Sequence, residues 1–281
     1  IGLCDASYRE KRGNLMKTRS FILMWLLVLL LAAACSTMPI TGRQQLDLVS
    51  SSQLRAMAQD AYGRFLQEHD VVTGTAEARM VVRVGLGIQR AVERYLAEIG
   101  RSDIVEGFQW EFTLIRDESA NAWAMPGGKV AVYTGILPVT EDETGLAVVM
   151  GHEVAHVIAQ HGGERMSQAL LTQLGGAALG VALSDEPDAT RQWYMAAYGL
   201  GAQVGILLPY SRLHESEADR LGLIFMAMAG YDPRESVDFW RRMEKQSEKG
   251  APPEFLSTHP SHQTRIENLK SHLPEAMAYY R

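Results

Sequence analysis

The sequence has few cysteines and no excess of positive charge. Cys4 and Cys35 are the only cysteines among 281 residues, which excludes a disulfide framework and a cysteine-based zinc cluster. The chain carries 27 Lys and Arg against 33 Asp and Glu, a formal charge of −6. A general nucleic-acid-binding protein needs a basic surface to neutralise phosphates, so we expect no nucleic-acid partner. Any bound metal must be held by His, Asp or Glu.

The sequence also lacks a hydrophobic run long enough for a comfortable membrane span, which takes about 20 apolar residues. The uncharged run Phe21–Ala34 is shorter and follows Lys17 and Arg19, a pattern typical of a secretory signal peptide. The run ends in Leu-Ala-Ala-Ala before Cys35, and small residues before a cysteine resemble a bacterial lipobox. The resemblance implies that residues 1–34 are removed and that Cys35 is acylated.

A lipid on Cys35 would anchor the protein to a membrane of the cell envelope. Ser36 follows the cysteine in place of the Asp that commonly retains lipoproteins in the inner membrane. We therefore expect attachment to the outer membrane, with the protein facing the periplasm. The alternative is a signal peptide cleaved near Ala34, with Cys35 an incidental thiol. Residues 1–15 precede the first methionine, Met16, and we expect them to lie upstream of the natural start.

The rest of the chain predicts a lipidated tether, residues 35–50, and one folded domain, residues 51–281. Apolar residues at helical spacing begin near Ser52. Alternation over Phe108–Leu114 and the short segment Lys129–Tyr133 predict strands. Together these patterns predict an α+β fold that is mainly helical, with a small β-sheet bordering the active-site cleft.

Two further patterns concern the middle of the chain. Thr140–Glu143 has the hydroxyl and carboxylate spacing of a capping box and predicts a helix that continues to His161 and stops at Gly162-Gly163. Two apolar, Gly- and Ala-rich segments follow, Met166–Leu183 and Trp193–Leu208. We expect them to form a buried hairpin, and the alternative is a hairpin that dips into a membrane surface.

The predicted helix contains a strong metal-site motif, His152-Glu153-Val-Ala-His156. The two histidines are at i and i+4, so they lie on one helix face and both can bind one Zn²⁺. Glu153 lies near that face, where it can take a proton from water. The alternative is a helix with two satisfied core histidines, which the availability of a third candidate ligand argues against.

The third ligand must come from another part of the chain. The long astacin-type motif has a histidine six residues after the second one, but this position is Gly162. His161 is expected at the surface. The later segment His-Glu-Ser-Glu-Ala-Asp supplies Glu215, Glu217 and Asp219, of which the first and last are at i and i+4. One carboxylate can bind zinc while another accepts a hydrogen bond from a ligand's ring, and spacing alone leaves Glu215 and Glu217 open.

With these motifs the chain resembles the M48 family of zinc metallopeptidases. Three more segments carry the resemblance: Asn121–Gly135, Ser257–His262 with its Thr-His-Pro element, and Pro39–Leu46. The resemblance covers nearly all of residues 36–281 and implies a zincin-like fold with one Zn²⁺ per chain. It also implies that Glu215 is the third zinc ligand and that Asp219 is the associated acidic residue of the catalytic site.

The expected reaction is metal-assisted hydrolysis of peptide bonds in misfolded or unassembled proteins of the cell envelope. With zinc held by His152, His156 and Glu215, Glu153 is expected to act as general base and then as general acid. His259 is a candidate oxyanion donor by resemblance only. Two alternatives stay open for His259: it could occupy the fourth position of the zinc as an inhibitory ligand, or it could merely cap local structure.

An extended substrate could pair with the strand Lys129–Tyr133 or with the strand before it. Such pairing ignores most side chains, which favours broad specificity for unfolded polypeptides. Two other classes of function stay open. One is a non-catalytic chaperone or assembly lipoprotein at the outer membrane with a structural zinc. The other is a membrane-surface scaffold that binds through residues 166–208.

Overall fold

The computed structural model describes residues 35–184, 186–203, 208–247, 254–259 and 263–281. The expected signal segment, residues 1–34, lies outside them. The described chain forms two compact units, residues 35–48 and 49–281. In the first unit, strand β1 (Cys35–Thr37) pairs antiparallel with β2 (Gln44–Leu46). The side chain of Cys35 is also outside the described part, so its acylation stays a prediction.

The second unit is mainly helical, and this confirms the expected fold class. Short 3-10 turns at Ser102–Val105 and Thr134–Ile136 connect some of its elements. The helices are α1 (Ser51–Glu68), α2 (Ala76–Glu98), α3 (Leu137–Thr140), α4 (Glu143–Ile158), α5 (His161–Ala182), α6 (Asp188–Ala202), α7 (Leu208–Met228), α8 (Glu235–Ser247), α9 (Glu254–Thr258) and α10 (Gln263–Met277).

The sheet of this unit has strands in the order β3 (Val71–Val72), β4 (Glu111–Ile115), β6 (Lys129–Tyr133) and β5 (Ala122–Met125). Strand β6 is parallel to β4 and antiparallel to β5, so both of its edges are occupied. The strand predicted before it, Phe108–Leu114, corresponds to β4, which pairs with β3 and β6. The expectation that either predicted strand pairs with a substrate is therefore wrong. Strand β5, which the sequence patterns did not predict, lies at the edge of the sheet next to α4.

Helix α4 is the central element of the unit, and most of its side chains are buried. Its N-cap is Asp142, whose carboxylate accepts hydrogen bonds from the backbone N–H groups of Thr144 (2.7 Å) and Gly145 (3.0 Å). The prediction that Thr140 caps this helix is wrong. The Thr140 hydroxyl instead donates to the carbonyl of Leu137 within the separate short helix α3.

Helices α4 and α7 cross at two glycines. A Cβ atom added to Gly151 would lie 2.9 Å from the carbonyl oxygen of Gly222, and one added to Gly222 would lie 2.9 Å from the backbone nitrogen of His152. Real Cβ atoms do not approach other atoms so closely, and any larger residue would push the helices apart. The glycines therefore let the metal-motif face of α4 lie directly against α7.

Helix α4 ends earlier than expected. Gln160 adopts a left-handed conformation with φ 58°, which breaks the helix, and α5 begins at His161. Gly162 and Gly163 belong to the first turn of α5, so the prediction that they stop a helix is wrong. The consequence of the break is that His161 turns back towards the end of α4.

Helices α5 and α6 form the expected hairpin, but the expectation that it is buried is wrong. Several of its apolar side chains are exposed, among them Leu174 (64 %), Val181 (76 %), Trp193 (66 %) and Leu200 (64 %). Tyr198 crosses between the helices, and its hydroxyl donates to the carbonyl of Thr172 at 2.9 Å. Among the described residues, every helix falls short of the length and apolarity needed to cross a membrane.

Candidate metal centre

Four buried side chains from separate parts of the fold converge on one point. His152 and His156 come from α4, Glu215 from α7, and His259 from the residue after α9. One nitrogen or oxygen atom of each lies within 4.8 Å of the corresponding atoms of the others. The Nε2 atoms of the two α4 histidines are 3.1 Å apart, and each is 3.4 Å from a carboxylate oxygen of Glu215.

This donor set fits a divalent metal. Buried imidazoles and a carboxylate that point at a common centre are the ligands that zinc takes in catalytic sites. The Glu215 carboxylate also carries its negative charge despite its burial, because hydrogen bonds from His152 and His259 outweigh the cost of desolvation and hold its pKa far below the usual range. His156 has its pKa lowered by burial and by the neighbouring His152, which favours the neutral imidazole that a metal requires.

Glu153 lies beside the cluster and is almost fully buried. Its Oε1 is 3.2 Å from Nε2 of His259. Burial raises the pKa of Glu153, although the nearby His259 and His152 oppose the shift. A carboxylate with a raised pKa is a stronger base than an exposed one, and general bases in enzymes are tuned in this direction.

Asp219 contacts His152 on the side of the imidazole ring that faces away from the cluster. The Oδ1 atom of Asp219 is 3.0 Å from Nδ1 of His152. Nδ1 therefore donates a hydrogen bond to the carboxylate, and Nε2 of His152 faces Glu215. Burial disfavours protonation of His152, but hydrogen bonds to Asp219 and Glu215 raise its pKa to about 9. Such a carboxylate partner fixes the tautomer and orientation of a metal-binding imidazole.

Arg265, which no sequence motif indicates, connects the carboxylates of Asp219 and Glu215. Its Nη2 donates to Asp219 at 2.7 Å, and its Nη1 donates to Glu215 at 3.1 Å. The guanidinium lies over the ring of Trp240, 3.5 Å from the centroid, and is buried. Arg265 is on α10, and no local pattern in that helix distinguishes it from a surface arginine.

His161 is completely buried, and the expectation that it lies at the surface is wrong. Its Nδ1 is 2.8 Å from Nδ1 of His156, and its Nε2 is 2.8 Å from Oε2 of Glu217. Its ring stacks on that of His214, with centroids 4.2 Å apart. His214 in turn lies 2.9 Å from Glu164. These residues form a second buried polar layer behind His156.

The structure thus brings together six of the residues singled out in the sequence: His152, Glu153, His156, Glu215, Asp219 and His259. The structure also distinguishes Glu215 from Glu217, the two candidate third ligands between which sequence spacing could not choose. Glu215 faces the cluster, whereas Glu217 faces His161. Pro260, Ser261 and His262 of the Thr-His-Pro segment lie outside the described residues.

Comparison with known proteins decides the family. A family model described as "Peptidase family M48" matches residues 86–273. The chain belongs to peptidase family M48. The resemblance carried by the sequence motifs is thereby confirmed, and with it the assignment of this M48 chain to the metallopeptidases.

Curated M48 relatives come from eukaryotes and bacteria. "Mitochondrial metalloendopeptidase OMA1" of Schizosaccharomyces pombe is 36 % identical over 241 residues, covering 85 % of this chain and 66 % of the relative. "Metalloendopeptidase OMA1, mitochondrial" of Homo sapiens is 32 % identical over 251 residues, covering 85 % and 46 %. The "Putative beta-barrel assembly-enhancing protease" of Vibrio cholerae is 33 % identical over 166 residues, covering 57 % and 34 %. The matched region is therefore about two thirds or less of the length of each of these relatives.

Proposed function

We propose that this M48 chain is a zinc-dependent endopeptidase that cleaves misfolded or unassembled proteins of the cell envelope. One observation carries the proposal: Glu153, a buried carboxylate with a raised pKa, lies beside a convergent His152–His156–Glu215 donor set. A structural metal site has no need of such a base, whereas hydrolysis does.

In this proposal His152, His156 and Glu215 hold the zinc. When bound, zinc supplies Lewis acidity, which activates water and polarises the scissile carbonyl. Glu153 accepts a proton from the attacking water as the new C–O bond forms. Glu153 then donates that proton to the amide nitrogen as the C–N bond breaks, so the products are a carboxylic acid, which loses its proton to water, and a free amine.

His259 opposes this reaction in the arrangement described above. Its Nδ1 is 3.0 Å from both oxygens of Glu215 and 3.2 Å from Nε2 of His152, while its Nε2 is 3.2 Å from Glu153. The imidazole of His259 therefore contacts both the candidate metal ligands and the candidate base, Glu153. This supports the inhibitory role among the alternatives for His259, with the substrate displacing it before reaction.

The free edge of β5 supports an extended polypeptide as substrate. A chain that pairs with this edge is held through its backbone, which is common to all sequences. Folded proteins cannot present such a segment without local unfolding, so unfolded and unassembled chains are the favoured substrates.

We place the protein in the cell envelope, anchored by a lipid on Cys35. The lipobox-like residues before Cys35 support this location, and so does the name of the Vibrio cholerae relative, which refers to β-barrel assembly. Metabolic labelling with radioactive palmitate tests the anchor. The wild type is expected to be labelled and a Cys35→Ala variant unlabelled, and label on the variant would contradict the anchor.

Casein cleavage by the zinc-loaded protein tests the enzyme. A Glu153→Gln variant keeps the shape of the side chain but cannot accept the proton, so we expect it to retain zinc and to lose activity by about 10²-fold or more. Glu98→Gln, at an exposed position on α2, is the matched control and should behave as wild type. Near-normal cleavage by Glu153→Gln would contradict the mechanism. A wild type that holds zinc and prevents aggregation without cleaving casein would favour the chaperone alternative.

A further inference from the structure

An open cavity lies directly beside the metal centre. Its walls come from the start of α1, the end of β5, the last turn of α4 and the first turn of α5. His156 forms part of the wall, so the cavity and the metal cluster share this side chain. The proposed hydrolysis gives no role to the other residues that line it.

The lining is mostly apolar. Leu54, Phe108, Ala124, Pro126 and Val157 contribute to it, and all five are only half-buried, so part of each side chain remains accessible. Ligand pockets in proteins are lined mainly by hydrophobic groups with a few polar ones. The lining of this cavity therefore suits an apolar side chain.

The charged residues that line the cavity are both positively charged. Arg55 and Arg165 belong to the lining, and among the described residues that line it there is no Asp or Glu. A lysine or arginine side chain entering the cavity would lose hydration next to two cations and would meet no carboxylate. The cavity therefore discriminates against basic side chains.

Two adjacent glycines leave the space open. A Cβ atom at Gly163 would lie 2.7 Å from Cδ1 of Leu54, so glycine at this position lets α1 pack against α5. At Gly162 nothing lies within 4 Å of the added Cβ, and Gly162 lines the cavity. A larger residue at Gly162 would fill part of the cavity without a clash in the helix.

Strand β5 connects the cavity to the bound substrate. Ala124 belongs both to this edge strand and to the wall of the cavity. In an extended chain paired with β5, alternate side chains project to the same side. One side chain near the scissile bond would therefore face the cavity beside His156.

We infer that this cavity is a specificity pocket that takes an apolar side chain of the substrate and disfavours Lys and Arg. The inference rests on the proposed function and adds a side-chain preference to it. The enzyme therefore selects the side chain of one substrate residue next to the cleaved bond, while it binds the rest of the substrate through the backbone.

Internally quenched peptides test the preference directly. Each position on either side of the cleaved bond is varied in turn among Phe, Leu, Ala, Asp and Lys, and kcat/KM is measured with the zinc-loaded protein. We expect one position at which Phe or Leu exceeds Ala and Lys by about tenfold or more. The Gly162→Leu variant should remove most of this advantage and leave the Ala peptide nearly unaffected. Gly63→Leu is the matched control, because Gly63 is also a helical glycine with nothing within 4 Å, and it should match wild type.

A binding measurement separates the pocket from the catalysis. Fluorescent Phe and Lys peptides are titrated with the zinc-loaded Glu153→Gln protein, with and without Gly162→Leu. Tighter binding of the Phe peptide that Gly162→Leu abolishes supports the pocket, even if wild type cleaves nothing and the proposed function fails. Equal cleavage and equal binding of all peptides, or an equal loss for all peptides in Gly162→Leu, would overturn the pocket and leave the endopeptidase proposal standing.

Discussion

The Nδ1 atoms of His161 and His156 lie 2.8 Å apart in the core of the protein. Because Nε2 of His156 faces the metal cluster, Nδ1 of His156 carries the proton. This N–H group donates a hydrogen bond to Nδ1 of His161. The Nε2 of His161 then donates to Glu217. The result is a chain of hydrogen bonds that fixes both the tautomer and the orientation of one candidate zinc ligand.

Removal of His161 is expected to weaken zinc binding without abolishing it. Partners of metal-binding histidines typically contribute about 10–100-fold in affinity, so the zinc dissociation constant of His161→Ala should rise by this factor. Competition with a chromophoric chelator measures it. His272→Ala, in α10 and outside the buried layer, is the control. An unchanged dissociation constant for His161→Ala would mean that packing alone orients His156.

The two glutamates of α7 should have different effects on the metal. Glu215 faces the cluster, and its replacement by Ala removes a ligand, so the purified variant should contain almost no zinc. Glu217 acts through His161, and Glu217→Ala should keep one zinc per chain with a reduced affinity. Elemental analysis after dialysis against a weak chelator distinguishes them. The ligand assignment is wrong if Glu217→Ala strips the metal and Glu215→Ala retains it.

Replacement of His259 by Ala is expected to raise turnover. The side chain lies against the ligand set and the base together, so its removal frees both for the substrate. Zinc content should be preserved, and self-cleavage should appear on storage. Casein cleavage across pH 5–9 measures the effect. A fall in turnover with zinc retained would support oxyanion stabilisation instead, and unchanged turnover at every pH would leave His259 with a local structural role.

The contact between α7 and α10 should depend on pH through one ion pair. Arg220 donates to both carboxylate oxygens of Glu275, at 2.7 and 2.6 Å, and these hydrogen bonds lower the pKa of Glu275 from its ordinary value of 4.5. A carboxylate with a lowered pKa stabilises the fold above its unfolded pKa and loses this effect as the pH falls through the folded pKa.

Glu275→Gln should therefore destabilise the metal-free protein at pH 7, and the effect should become smaller as the pH falls towards 3. Both side chains of the pair are about one-third exposed, so solvent screening limits the difference in unfolding free energy to about 1 kcal/mol or less. Urea unfolding at the two pH values measures it, with the exposed Glu267→Gln on the same helix as control. An equal difference at both pH values would show that packing of α10, not the charge, is lost.

Local patterns predicted the elements that depend on near neighbours. The period of the apolar residues predicted α1, and the segment Lys129–Tyr133 is strand β6 with the expected bounds. Capping was predicted less well, because Thr140 and Asp142 both offer suitable oxygens and only the backbone geometry decides between them. The roles assigned to the site residues stay predictions.

The burial of individual residues was the least predictable property. His161 has the sequence context of a surface residue, yet the left-handed turn at Gln160 brings it beneath His156. The hairpin of α5 and α6 has the composition of a buried pair, yet it packs mainly on itself and exposes apolar side chains such as Trp193. Local composition indicates whether a segment is suited to burial, whereas its actual burial depends on which other elements pack against it.

The sequence by itself determined the chemistry of the candidate site. A spacing of four residues puts His152 and His156 on one face of any helix, and the same spacing aligns Glu215 with Asp219, because 3.6 residues make one turn. Only the tertiary structure decided that these two faces meet, that Arg265 joins them and that β5 has the free edge. Those relationships join residues far apart in the chain, and they depend on backbone packing such as the approach of Gly151 to Gly222, which no local pattern encodes.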